Sequence, residues 1–241
     1  MYYIQQAIDN ASDGDTIYVY DGVYDERIRV DKSIIILGED KNITIIKKGC
    51  SIYTDNVILK GFTIRCRPIG ILETAIYIQS ENNEIQDNII LGELNTEKGA
   101  DHNEISNNYI SWKTAISLES DENIIQNNII EGYVNYGILL IESDNNIIQW
   151  NEFENQGISL TISNGNTIRY NNFLNIVNAY FINSYDTTWN GNYWLLWPHI
   201  LPKPIHGRFA PFFDKFNLIT PYIPLLNFDW HPAKEPYDIS P

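Results

Sequence analysis

The phrase Asn-x-Ile-x-x-Asn-x-(Ile or Phe) recurs five times and constrains the fold more than any other feature of this chain. It starts at Asn83, Asn103, Asn123, Asn146 and Asn166, with its second asparagine at Asn88, Asn108, Asn128, Asn151 and Asn171. The starts lie 20, 20, 23 and 20 residues apart, a steadiness that marks a repeat architecture. Each period also holds a strand of small and β-branched residues, as in Ala75-Ile-Tyr-Ile, Ala115-Ile-Ser-Leu, Gly137-Ile-Leu-Leu and Gly157-Ile-Ser-Leu. Three short strands per period, with no helix or hairpin signal, predict an all-β, single-stranded right-handed parallel β-helix with three sides. Alternation along each strand turns Ile85, Ile105, Ile125, Ile148 and Ile168 inward, and Ile90, Ile110, Ile130, Phe153 and Phe173 likewise. Residues 91–102 lack the small-residue strand, so an irregular coil is expected there.

The ends read differently. Within residues 2–11, Ile4, Ala7, Ile8 and Ala11 stand at helical spacing and predict a short helix capping the N-terminal end. Short β-branched strands follow from Thr16 onward. Thr187-Thr-Trp189-Asn-Gly-Asn192-Tyr-Trp194 fits as a disguised last repeat, with Trp189 and Trp194 in the inward places. Nine of the ten prolines then fall between Pro198 and Pro241, among Trp197, Phe209, Phe212, Phe213, Phe216, Tyr222, Phe228, Trp230 and Tyr237. This predicts a β-helix over 1–194 and an irregular tail over 195–241 that packs on the stack.

The opening (Ile4-Gln-Gln-Ala-Ile, Gly14-Asp-Thr-Ile-Tyr-Val, Gly22-Val-Tyr-Asp-Glu) resembles the start of pectin-lyase-like β-helix proteins. The repeats are similar to the NosD-type repeats of archaeal and bacterial surface proteins, and so are Gly191-Asn-Tyr-Trp and the ending around Asn227-Phe-Asp-Trp. The resemblance covers nearly the whole chain and speaks for fold rather than activity, since this fold carries many activities. It implies an extracellular or cell-surface location and a leader ahead of residue 1. The first residues themselves carry neither a basic nor an apolar leader region. No apolar run approaches the ~18 residues of a transmembrane segment. A formal charge of −15 argues against a nucleic-acid partner.

The asparagine columns read as structural ladders, since stacked amides bond from coil to coil and asparagine tolerates a left-handed corner. Beside them runs an acidic column, Glu81, Asp101, Asp121 and Asp144, continued by Asn164. Glu119 and Glu142 precede two of these by two residues, so Glu119, Asp121, Glu142 and Asp144 form a candidate corner. A hard cation, Ca²⁺ by preference, would suit such carboxylates. A glycosidase carboxylate pair is the alternative, and a solvated turn the plainer reading. Tyr77, Leu139 and Phe181 are expected to point outward and offer sugar-stacking platforms. Lys60, Arg65, Arg67, Lys98 and Lys113, the basic residues of the central coils, match no lyase motif, so no catalytic residue is assigned. Cys50 and Cys66, 16 residues apart, allow a disulfide between adjacent coils or two half-buried thiols. Asn10 and Asn42 sit in glycosylation sequons.

The function expected from these readings is a non-catalytic secreted or cell-surface protein with a structural, adhesive or self-assembling role. Its partners would be copies of itself or extracellular glycans. A polysaccharide lyase or hydrolase is the alternative. A copper role, implied by NosD, stands third because the chain has two Cys, one Met and four His.

Overall fold

The computed structural model describes residues 3–66, 74–134, 136–174, 179–210 and 222–240. Tyr2, Arg67, Phe212, Phe213 and Phe216, which entered the sequence reading, lie outside them. The chain is a right-handed parallel β-solenoid. Its strands stack in three columns: the first opens with Thr16–Val19, the second with Gly22–Tyr24 and the third with Ile28–Val30. The second column holds nine strands and ends at Tyr193–Trp194.

The core is the set of inward positions, aligned coil on coil. In the first column Ile36, Leu59, Ile85, Ile105, Ile125, Ile148, Ile168 and Trp189 stand in register. In the second, Ile90, Ile110, Ile130, Phe153, Phe173 and Trp194 do so. Its last rings stack, with centroids 4.8 Å apart for Phe153–Phe173 and 4.1 Å for Phe173–Trp194. All these residues are buried, and each is worth roughly 1.5–3 kcal/mol by removal from water. Repetition does the rest, because one coil alone exposes both of its edges.

All three corners use left-handed residues, the third at Glu142, Ile162 and Asn183. One of the other two runs Asn56, Asn82, His102, Glu122, Asn145 and Asp186, each two residues before a first-column strand opens. The other runs Gly61, Asp87, Asn107, Asn127, Trp150, Tyr170 and Gly191. Trp150 (φ 57°) and Tyr170 (φ 58°) are unusual there, since left-handed backbone costs a bulky residue about 1–2 kcal/mol. Packing offsets that cost. Their rings stack at 4.8 Å, and Tyr237 of the tail closes edge-on at 4.9 Å from Trp150.

Three expectations need correction and one holds: residues 91–102 carry a register shift between Glu93 and Leu94, although Glu93–Thr96 still supplies the third-column strand, with Leu94 inward. A single apolar residue satisfies the alternation, whatever small residue precedes it. Phe181 faces inward, opposite Leu160, and Tyr180 is the outward residue opposite Ser159; Ala179 takes the buried place that Ile158 holds one coil earlier, which shifts the alternation by one. The tail contains a regular antiparallel hairpin, Lys203–Phe209 with Ile223–Asp229, and its first strand extends the third column on Tyr180–Ile182. Prolines suit such edge strands, which need fewer ladder donors. Cys50 and Cys66 are buried and not bridged to each other: Cys50 sits between Ile28 and Ile76 in the third column, whereas Cys66 follows the second-column strand Thr63–Arg65. The N-terminal helix spans Ile4–Asn10 and buries Ile4 and Ile8.

Candidate functional site

The asparagine columns are consumed by the fold. The Asn88 amide donates to Asn108 Oδ1 at 3.2 Å, and the pattern repeats through Asn128, Asn151, Asn171 and Asn192 at 3.0–3.1 Å. Each side-chain oxygen also accepts the preceding coil's Asn backbone N–H. Asn83, Asn103, Asn123, Asn146 and Asn166 pass backbone N–H bonds in the same direction. The second ladder ends on Asp229, fully buried, which accepts from Asn192 Nδ2 (3.0 Å), Trp194 Nε1 (3.1 Å) and the Gly191, Asn192 and His231 N–H groups. The carboxylate stands where another asparagine would, and charge strengthens the closing bonds.

The acidic column is a second ladder of opposite polarity. Here the later coil donates to the earlier: Asp121 N–H to Asp101 Oδ1 (2.8 Å), Asp144 N–H to Asp121 Oδ1 (2.7 Å), Asn164 N–H to Asp144 Oδ1 (2.6 Å). Glu142 reaches Lys98 at 3.9 Å, and Glu119 is exposed. Among the described residues no three His, Cys, Asp or Glu gather in a way that could hold a metal ion. In the corner Glu119, Asp121, Glu142 and Asp144, register sets one carboxylate oxygen of Asp121 and one of Asp144 on a neighbouring N–H. Asn10 and Asn42 are exposed, their amides bonded to Gln6 O and Asp40 Oδ1.

The third face carries what the ladders lack. Its outward residues Arg29, Ser51, Tyr77, Asn95, Ser117 and Leu139 stand in register. Over the early coils a groove of ≈ 460 Å³ opens between Arg27, Ser51, Tyr53, Thr74, Tyr77 and Asn95. The Arg27 guanidinium is fixed by Ser51 Oγ at 2.8 Å and by Lys48 O and Thr74 O at 3.1 and 3.3 Å. The Arg29 guanidinium lies 3.9 Å over the Tyr53 ring, whose centroid is 6.5 Å from that of Tyr77. Tyr77 donates its hydroxyl to Glu97 at 2.7 Å, and Gln79 donates to the same carboxylate. Burial first, and then Glu97, push the Tyr77 hydroxyl up to about 12, so it stays protonated.

Charge is segregated along the axis. Residues 27–67 hold nine Lys and Arg against four Asp and Glu, while residues 81–154 hold two against fifteen. The groove straddles the edge of the basic coils: Arg27, Ser51 and Tyr53 belong to them, whereas Thr74, Tyr77 and Asn95 lie in the next coils beside Glu97, so an anion is favoured at its arginine end. Arginines, flat rings, a hydroxyl and an amide suit a cyclic, polar, negatively charged solute. The six lining side chains offer a guanidinium, hydroxyls, an amide and two phenol rings for hydrogen bonding and stacking. Of these residues the sequence reading singled out Tyr77 alone. The faint signal for the rest is that Arg29, Ser51, Tyr77 and Asn95 lie about one coil apart; spacings of 22, 26 and 18 residues hide it.

A carboxylate pair occupies the second face. Glu131 accepts from Tyr109 (2.6 Å), Ser111 (2.9 Å) and Asn155 (3.1 Å), bonds that hold it below the usual carboxylate range. Glu154 is raised by partial burial and by Glu131 and Glu152.

Solved structures resemble this stack in fold. Carrot pectin methylesterase aligns over 77% of this chain and 78% of its own, at 13% identity and TM-score 0.51. A PL6 family polysaccharide lyase from Pseudopedobacter saltans aligns over 78% of this chain and 63% of its own, at 14% and 0.50. An alginate lyase solved with G6 aligns over 78% and 60%, at 14% and 0.52. The chain thus spans less than two thirds of either lyase. No curated protein matches it. The family model described as periplasmic copper-binding protein (NosD) matches residues 8–196. By that match over most of its length, the chain belongs to the NosD family.

Proposed function

We propose that this chain works outside the cytoplasm as a non-catalytic β-helix protein that holds an acidic polysaccharide, in a structural or adhesive role. The observation that carries this reading is the Arg27–Arg29–Tyr53–Tyr77 groove at the edge of the basic coils. Arginine pairs with a sugar carboxylate, and tyrosine rings cover the sugar face. The neighbours' names, a pectin methylesterase and an alginate lyase solved with G6, support carbohydrate as the ligand class. The family description supports a periplasmic or extracellular place. No helix among the described residues is long and apolar enough to cross a membrane.

Copper does not fit the residues present. Cys50 is fully buried and its thiol is pushed up to about 12, whereas copper takes a thiolate. His102 pairs with Glu122 at 3.4 Å, His206 lies on the hairpin, and His231 contacts Asn190. No copper step is assigned.

The test is calorimetric titration with oligouronates and with neutral oligosaccharides of equal length. Oligouronates are expected to bind, with little change between pH 5 and 9, and Arg29→Ala or Tyr77→Ala to weaken them roughly tenfold. Equal binding of neutral chains, or binding indifferent to both substitutions, defeats the reading. Glu131 and Glu154 favour a second reading, hydrolysis, because their environments push two neighbouring carboxyls apart. New reducing ends that vanish in Glu154→Gln would establish it instead.

A further inference from the structure

The third face does not end at the groove. The outward row that passes through Tyr77 runs on through Asn95, Ser117, Leu139 and Ser159 to Tyr180, in register at every step. Coils stack at ~4.8 Å, so the five steps from Tyr77 to Tyr180 cover about 24 Å along the axis. Between the two tyrosines the row is low. Ser117 and Ser159 are buried, Asn95 and Leu139 half-buried, and none of the four carries a charge. Apolar surface borders this floor. Tyr133, Val134 and Tyr136 are exposed at the corner between the second-column strand Ile129–Gly132 and the third-column strand Ile138–Ile141.

The far end of the row repeats the parts of the near one. The Arg208 guanidinium lies 5.6 Å over the Tyr222 ring, as that of Arg29 lies over Tyr53. Arg208 stands on the hairpin strand that pairs with Tyr180–Ile182, and Tyr222 is exposed. Burial raises the Tyr180 hydroxyl above its ordinary range. The Arg208 charge lowers it, and Tyr222 and Tyr136 raise it, so all three stand within electrostatic reach of that ring. Arg208 Nε is buried with no hydrogen-bond partner among the described residues. No carboxylate lies within salt-bridge reach of this guanidinium among the described residues either. A cation so placed attracts an anion.

Carboxylates stand along the row as well. Glu97 is bonded to Tyr77 and Gln79, Glu142 lies 3.9 Å from Lys98, and Glu119 is exposed. An acidic chain is therefore drawn to the two arginine ends, while the middle offers its sugar rings hydroxyls, an amide and apolar side chains.

We propose that the groove is the near half of one extended site, in which a single acidic polysaccharide chain lies along the third face from Arg29 and Tyr77 to Tyr180, Arg208 and Tyr222. This rests on the groove binding an acidic glycan. It adds the direction of the chain, along the stack axis, and a second anchor about 24 Å away. Two anchors on one chain raise affinity through effective concentration, and only for a chain long enough to reach both.

The test is calorimetric titration with a uronate trimer, too short to span ~24 Å, and a decamer, which spans it. The decamer is expected to bind the unsubstituted protein at least tenfold more tightly. Arg208→Gln and Tyr222→Ala, the latter at a position 57% exposed, should each remove most of that gain and leave the trimer unchanged. Arg29→Ala should weaken both ligands. An unchanged melting temperature confirms that each variant folds. A longer chain also gains by sliding among registers, but that gain survives in the far-end variants and is separated by them. Trimer and decamer of equal affinity, or a decamer indifferent to both far-end substitutions, overturn the extended site and leave the groove standing. If neither uronate binds, or neutral chains bind equally, the groove reading fails and the extended site falls with it.

Discussion

The buried ladder from Asn88 to Asp229 and the open groove around Tyr77 are built from the same kinds of side chain. They differ in what their polar atoms face. In the ladder every amide meets the next coil and a backbone carbonyl, and the column is fully buried. In the groove Asn95 is half-buried in register with Ser117, and Arg29 lies over Tyr53 with no carboxylate partner within salt-bridge reach among the described residues. Strict repetition thus uses up hydrogen-bonding capacity, and capacity for a ligand survives where the period is broken. In the acidic column the same tracing gives one oxygen each of Asp101, Asp121 and Asp144 to a backbone N–H of the next coil.

The largest effect separating these regions should come from Asp229→Ala. It leaves four buried donors and the part-buried His231 N–H without an acceptor and is expected to cost about 3–5 kcal/mol. Urea denaturation measures it, and Asp229→Asn, which keeps one oxygen acceptor, should lose less. A loss equal to that of a surface substitution would remove Asp229 as the ladder's terminus.

Next comes a paired substitution within one residue type. Asn128→Ala should cost about 2–3 kcal/mol, since it orphans the Asn108 N–H groups and Asn128 bridges three coils. Asn95→Ala in the groove should stay within about 0.5 kcal/mol while weakening oligouronate binding. Equal stability losses at the two positions would erase the distinction between ladder and groove.

The smallest effect sharpens the comparison most. Asp121→Asn should change stability by less than about 0.5 kcal/mol, because an amide oxygen accepts the Asp144 N–H as well as a carboxylate does. Asn164 already plays that part for Tyr185 N–H at 2.9 Å. A calcium-dependent rise in melting temperature, abolished by this substitution, would restore the corner as a cation site.

The coil architecture was legible in the sequence because it is local and repeated. Each coil must place one apolar residue inward and one asparagine at each corner, so Ile105, Asn108 and Ile110 state their positions without reference to distant residues. Even Trp189 and Trp194 were readable, since only their size departs from the pattern. What the tertiary structure decided lies where insertions change the phase. Phe181 turned inward because Ala179, not Tyr180, fills the buried place of Ile158, which shifts the alternation by one. Arg29, Tyr53 and Tyr77 met because coils of unequal length still stack at ~4.8 Å, which aligns residues that a count along the chain scatters. The role of Asp229 at the end of the ladder depended on the chain folding back across separations of 35 to 38 positions. Periodic contacts are encoded within one repeat and can be read there. Contacts that end or break the period exist only once the stack is built.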